Sequence, residues 1–269
     1  AAEVQKVLTF QQGPTEVNSF VGNKLIYHYQ LLNLCKTARK GKYSLYDIYH
    51  NANKQALVSE LHRATRARVR AGKTLYSNLF ECWRINNGSI SIFKMCNATY
   101  MYKKYGATKV LDVTAGWGGR MLAAYNLGIS YTGFDTNTSL QPGYKALMQQ
   151  FPPLTRGQKI NIFFKNVMNV DFTKLDYDFV LTSPPYEDLE VYEHTPEYND
   201  FYADFLIPLL NKCRQYIKKG GWTCFNISPQ MYAKLTGEKY SYSKCVKTEN
   251  LLEQKNGKTA DMIYMWRPL

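Results

Sequence analysis

Lys109-Val110-Leu111-Asp112-Val113-Thr114-Ala115-Gly116-Trp117-Gly118-Gly119-Arg120 is the stretch on which the fold turns. Lys109 to Val113 is a short apolar run of the kind that forms a buried strand. A glycine-rich turn follows it, and Gly119 to Leu127 then reads as a helix. The same rhythm continues downstream. Ser130 to Phe134, Ile160 to Phe164, Phe179 to Thr182, Trp222 to Ile227 and Met262 to Trp266 read as strands, with helices expected over Gly143 to Phe151 and Phe201 to Ile217. Lys218-Lys219-Gly220-Gly221 reads as the stop signal of that last helix. Strands alternating with helices imply an α/β, Rossmann-like fold: a mostly parallel sheet with helices on both faces.

In the turn, small residues let backbone N–H groups approach a ligand, and the helix N-terminus adds the positive end of its dipole. The spacing departs from Gly-x-Gly-x-x-Gly, so a dinucleotide is not the first expectation. Asp135 follows the next strand, nearly twenty residues after Gly116. A carboxylate there is placed to grip two ribose hydroxyls. Together the pair points to an adenosine-containing cofactor, against the plainer reading of a strand–helix turn in any doubly wound fold. Arg120 is placed to cap or to pair with Asp112.

Thr182-Ser183-Pro184-Pro185-Tyr186 leaves the end of another strand. Two prolines fix the backbone and remove two N–H donors, so carbonyl oxygens stay free to accept. An amine on an aromatic ring is a poor nucleophile because its lone pair is delocalised. Acceptors such as Ser183 Oγ and the Pro184 carbonyl would hold both N–H bonds and turn the lone pair towards an electrophile, which is catalysis by orientation. Tyr186 offers a flat surface for an extruded base. The plain alternative is a Pro-Pro turn that ends a strand.

These segments resemble the class I S-adenosylmethionine-dependent amino-methyltransferases of DNA bases. Leu111 to Gly119 is similar to that family's cofactor motif, and Thr182 to Tyr186 to its catalytic motif. The resemblance runs from about residue 86 to 269. It implies a class I methyltransferase fold and S-adenosyl-L-methionine as cofactor, held by Phe93, Asp112, Thr114, Ala115, Gly116, Trp117, Gly118, Asp135, Asn166 and Val167. Ser183, Pro184, Pro185 and Tyr186 take the catalytic positions, and Ser89 to Lys94 resembles the segment that closes over the methionine end. A Ser at the start of the tetrapeptide leans the implied target to cytosine N4. Adenine N6, an RNA base, a protein glutamine and a non-catalytic nucleic-acid-binding subunit are the alternatives. No Pro-Cys dipeptide occurs, which argues against methylation of cytosine C5 through a cysteine nucleophile.

Before this region, residues 1–85 lack the strand–helix rhythm. Leu25 to Leu32, Leu45 to Tyr49 and Val58 to Tyr76 read as helices, which makes a small, mainly helical N-terminal region ahead of a catalytic domain over 86–269. The formal net charge is +13. Lys36, Arg39, Lys40 and Lys42 form one basic cluster and Arg63, Arg66, Arg68, Arg70 and Lys73 another, with Tyr43, Tyr46, Tyr49 and Tyr76 among them. Such a face suits a phosphate backbone. The long connection from Ser228 to Asp261 adds Lys239 and Lys244, and is expected to form the nucleic-acid clamp together with the N-terminal helices. DNA is favoured over RNA as the partner, and a protein partner or homodimer is compatible with the chain.

The six cysteines and four histidines are scattered without metal spacing, so reduced thiols and no metal centre are expected. No apolar run is long enough to span a bilayer. The first residues show no secretory signal, so an intracellular location, in cytoplasm or nucleus, is expected.

Overall fold

The computed structural model of the chain describes residues 2–11, 19–39, 42–50, 83, 92–186, 190–191, 198–250 and 262–269. Arg63, Arg66, Arg68, Arg70, Lys73 and the helix expected over 58–76 lie outside them, as do residues 251–261 of the 228–261 connection.

Seven strands form one sheet: β2 (Lys109–Asp112), β3 (Ser130–Asp135), β4 (Ile160–Phe164), β5 (Phe179–Thr182), β7 (Trp222–Ile227), β8 (Lys247–Glu249) and β9 (Met262–Trp266). Their spatial order is β4-β3-β2-β5-β7-β9-β8. Every neighbouring pair is parallel except those made by β9, which runs antiparallel to both β7 and β8. This is an α/β, Rossmann-like arrangement, a mostly parallel sheet as the strand–helix rhythm implies. A separate two-stranded ladder joins β1 (Ala38–Arg39) to β6 (Glu190–Val191).

Successive residues of a strand face opposite sides of a sheet, and here both sides are covered. Val110 of β2 joins the core on one side and Leu111 the core on the other; Ile263 and Tyr264 of β9 divide in the same way. The first core is closed by α4 (Met95–Tyr105), α5 (Gly119–Leu127) and α6 (Gln141–Met148). It also takes in Val7 of α1 (Ala2–Leu8) and Leu25, Ile26 and Leu34 of α2 (Asn23–Lys36). A short α3 (Leu45–His50) follows α2. The second core is closed by α7 (Ile207–Gln215) and α8 (Pro229–Thr236).

Two expected helices are corrected, and one long connection gains structure of its own. The helix expected over Gly143 to Phe151 starts at Gln141, since Pro142 fits a first helical turn, and ends at Met148, ahead of the Phe151-Pro152 bond that disfavours helix. The helix expected over Phe201 to Ile217 begins as a π-helix, Phe201–Leu206, and becomes α only from Ile207. Pro208 has no N–H to return to Asp204, so the wider turn precedes it. This helix stops at Gln215, and Gly220 (φ 84°) sits in the turn into β7 rather than at a helix cap. Finally, the Ser228–Asp261 connection carries α8 and the edge strand β8. Tyr232, Tyr240 and Tyr242 pack against the second core.

Candidate functional site

The sheet reverses its winding between β2 and β5, and a crevice opens beyond the C-terminal ends of strands at such a point. Here a cavity of about 280 Å³ lies there. Thr114, Ala115, Gly116 and Trp117 reach it from the turn after β2, Asp135 from the end of β3, and Asn166 and Val167 from beyond β4. Ser183, Pro184, Pro185 and Tyr186 reach it from β5, and Phe93 from the segment before α4.

Asp112 and Gly118 do not line it. Asp112 is fully buried and accepts from Arg120 Nε at 2.6 Å and from the Tyr131 hydroxyl at 2.7 Å. Burial works against the Arg120 charge, but the adjacent Asp112 carboxylate more than offsets it and the guanidinium pKa is raised. Arg120 also donates to the Thr114 carbonyl, so the pair braces the turn from beneath. Gly118 is the N-cap of α5, with φ 102° that only glycine adopts easily, and it faces Leu147 and Tyr144.

Its neighbour Gly119 matters for a different reason. A Cβ there would lie 2.0 Å from the Phe93 carbonyl oxygen. That close approach seats the Phe93 segment on the start of α5, where the Phe93 ring lies 5.0 Å from the Arg120 guanidinium carbon.

Asp135 is the site's central acid. Its Oδ2 accepts the Gly116 N–H at 2.8 Å and its Oδ1 the Asn137 N–H at 2.9 Å. Burial pushes its pKa up to about 6, and those two N–H bonds only partly counter it. The Asn166 side chain accepts the Met168 N–H at 2.9 Å, which fixes its rotamer at the cavity edge.

The Ser183 end is walled by rings. Tyr198 and Phe205 both line the cavity and stack on each other with centroids 5.0 Å apart. Phe205 belongs to the π-helix, whose first turn is capped by Asp200 through the Tyr202 and Ala203 N–H groups. Lys239 Nζ stands 2.8 Å from Asp200 Oδ2, and the Tyr240 hydroxyl donates to the same carboxylate. Lys239 is thus exposed but ion-paired, and Lys244 is exposed; neither lines the cavity.

Ile92 and Lys94 also face the cavity, from the Ser89 to Lys94 segment; sequence reasoning missed Asn97, Asn137, Leu140, Lys165, Tyr198, Phe205, Asn226 and Ile263, which face it too. Asn226 had one available signal, an amide within the apolar Cys224-Phe225-Asn226-Ile227 run. Phe205 had none beyond aromatic spacing on a helix, and Tyr198, which precedes that helix, had none. Among the described residues, no group of three or more His, Cys, Asp or Glu is placed to hold a metal ion. Among them, too, no helix is long and apolar enough to cross a membrane.

No family model and no curated protein matches the chain. Solved structures do. The chain is similar to TehB from Haemophilus influenzae, at 14% identity and a TM-score of 0.42, over 70% of this chain and 66% of that one. It is similar to an rRNA methylase from Streptococcus thermophilus at 12% identity and a TM-score of 0.43, over 66% and 99% of the two chains. A third is an S-adenosylmethionine-dependent methyltransferase from Clostridium acetobutylicum, at 13% identity and a TM-score of 0.39, over 73% and 82%.

Proposed function

We propose that the chain is an S-adenosylmethionine-dependent methyltransferase acting on an exocyclic amino group of a nucleic-acid base, with DNA as the preferred polymer and cytosine N4 as the foremost target. One observation carries this reading: the Ser183-Pro184-Pro185-Tyr186 loop and the Asp135 carboxylate face the same cavity from adjacent sides of the sheet's switch point.

The residues present fit the cofactor. Each Asp135 oxygen accepts one backbone N–H, which leaves an acceptor site on each for a pair of ribose hydroxyls. Ile92, Phe93, Leu140 and Val167 give the apolar lining an adenine ring needs. Asn166 and Val167 stand beside that ring in this reading, and Thr114 to Trp117 hold the rest of the nucleoside and the methionine. When bound, S-adenosylmethionine supplies an electrophilic methyl group on a sulfonium.

The chain's own residues do the rest. Ser183 Oγ and the Pro184 carbonyl accept the two amine N–H bonds, so the nitrogen lone pair turns out of the ring plane and towards the methyl group. Transfer would break the sulfonium–methyl bond, release S-adenosylhomocysteine and leave one surplus proton on the nitrogen, which these same oxygens would be placed to relay to water. Tyr186, Tyr198 and Phe205 present flat apolar surface to the base. The net charge of +13 suits a polyanion.

Calorimetric titration with S-adenosylhomocysteine tests the cofactor half of this reading. Saturable binding that is lost in Asp135→Ala is expected; an absence of binding heat at several temperatures would reject it.

A further inference from the structure

Asn226 stands at the end of β7, one residue beyond Phe225, which pairs with Thr182 of β5. This register sets it beside Ser183, and its side chain lines the cavity although the residue is only 7% exposed. Ser183 Oγ lies 3.4 Å from Asn226 Oδ1, and Asn226 Nδ2 donates to the Met262 carbonyl at 3.3 Å. The second contact fixes which way the amide faces. Exchanging its O and N would set one oxygen against the Met262 carbonyl oxygen, with no proton between them.

An amide oxygen only accepts, whereas a serine hydroxyl carries one proton and two lone pairs. We infer that Asn226 is a positioning residue that draws the Ser183 hydroxyl proton away from the cavity, so that Ser183 meets the substrate as an acceptor only. This rests on the amino-methyltransferase reading and deepens it, because a free serine could equally donate to the base. An acceptor-only Ser183 discriminates in favour of N–H-bearing groups, an exocyclic amine over a ring carbonyl. Asn226 is thereby a determinant of substrate class as well as of rate.

A double-mutant cycle tests this. In the wild-type background, Asn226→Leu is expected to lower kcat roughly tenfold or more, with the nucleic-acid KM and S-adenosylhomocysteine affinity within about twofold of wild type. In a Ser183→Ala background, with no hydroxyl left to orient, the same change is expected to cost less than about threefold. Asn226→Gln keeps an amide that can accept from Ser183 and donate to the Met262 carbonyl; it is expected to retain more turnover than Asn226→Leu, which also covers the case where Leu fails to fold. Equal losses in both backgrounds, or a loss confined to KM, would overturn the inference. If the wild type methylates no nucleic acid, the functional reading fails on its own account. The proton placement is then judged by the Asn226 side-chain amide resonances, which move on Ser183→Ala if the bond exists and stay fixed if it does not.

Discussion

Thr114 Oγ1 and Thr182 Oγ1 stand 2.6 Å apart across the switch point, joining the turn after β2 to the loop after β5. Thr182 is fully buried, so its own hydroxyl has no water to take the place of this partner. Two loops that hold separate reactants in the proposed reaction are thereby tied at their roots. Thr182→Val keeps the shape and leaves the Thr114 hydroxyl without this partner. It is expected to cost about 1–3 kcal/mol in denaturant unfolding. Thr114→Val is expected to remove most of that cost when the two are combined; full additivity would show that the contact is not energetically coupled.

Arg120 and Asp112 form a buried ion pair, 3% and 0% exposed. Arg120→Met strands the Asp112 charge in the core and is expected to destabilise the fold by about 3–5 kcal/mol. Asp112→Leu combined with Arg120→Met is expected to recover a good part of it. Chemical denaturation of the three variants measures both effects, and an unaltered midpoint for Arg120→Met would contradict the assigned role.

Gly119→Ala drives a Cβ against the Phe93 carbonyl oxygen. The backbone before α4 has to shift by about an ångström, and Phe93 with it. A misplacement of that size is expected to lower turnover roughly a hundredfold. Turnover and S-adenosylhomocysteine affinity equal to wild type would show that Phe93 does not matter to the site.

Asp135 titrates near pH 6 because burial raises it from the ordinary carboxylate range. An acid with a raised folded pKa stabilises the fold below its unfolded value of about 4, and that contribution is lost as pH rises through 6. Ligand binding has the opposite sign, since the ionised carboxylate is the better acceptor for ribose hydroxyls. S-adenosylhomocysteine affinity is therefore expected to fall as pH drops from 7 to 5, with proton release on binding near pH 6. Calorimetry in buffers of different ionisation enthalpy measures this, and Asp135→Asn is expected to flatten the profile. A wild-type profile flat from pH 5 to 7 would contradict it.

The strand frame was legible because each core strand is a continuous apolar run between turns, as Phe179-Val180-Leu181 is. The edge strand β8, Lys247-Thr248-Glu249, was not, since an exposed polar segment carries no such pattern. Helix α2 reads as a free-standing amphipathic piece because Leu31 and Leu32 are exposed while Leu25, Ile26 and Leu34 enter the main core. Composition cannot distinguish those leucines. The site's turn and its proline loop were readable from residue type, whereas Asp112 entered the cofactor set through the resemblance although its side chain points inward to Arg120, the pairing that the sequence also offered. Asn226 and Phe205 reach the cavity through strand register and a π-helical turn, which are properties of packing.

The proposed reaction is transfer of a methyl group to a base amine. Its most direct measurement is incubation of the protein with methyl-labelled S-adenosylmethionine and single-stranded DNA, duplex DNA or RNA, followed by nucleoside mass spectrometry. The expected product is a labelled N-methylated nucleoside, N4-methyldeoxycytidine foremost, strongly reduced in Tyr186→Ala. Label on a ring carbon, or on none of the three polymers, would contradict the account.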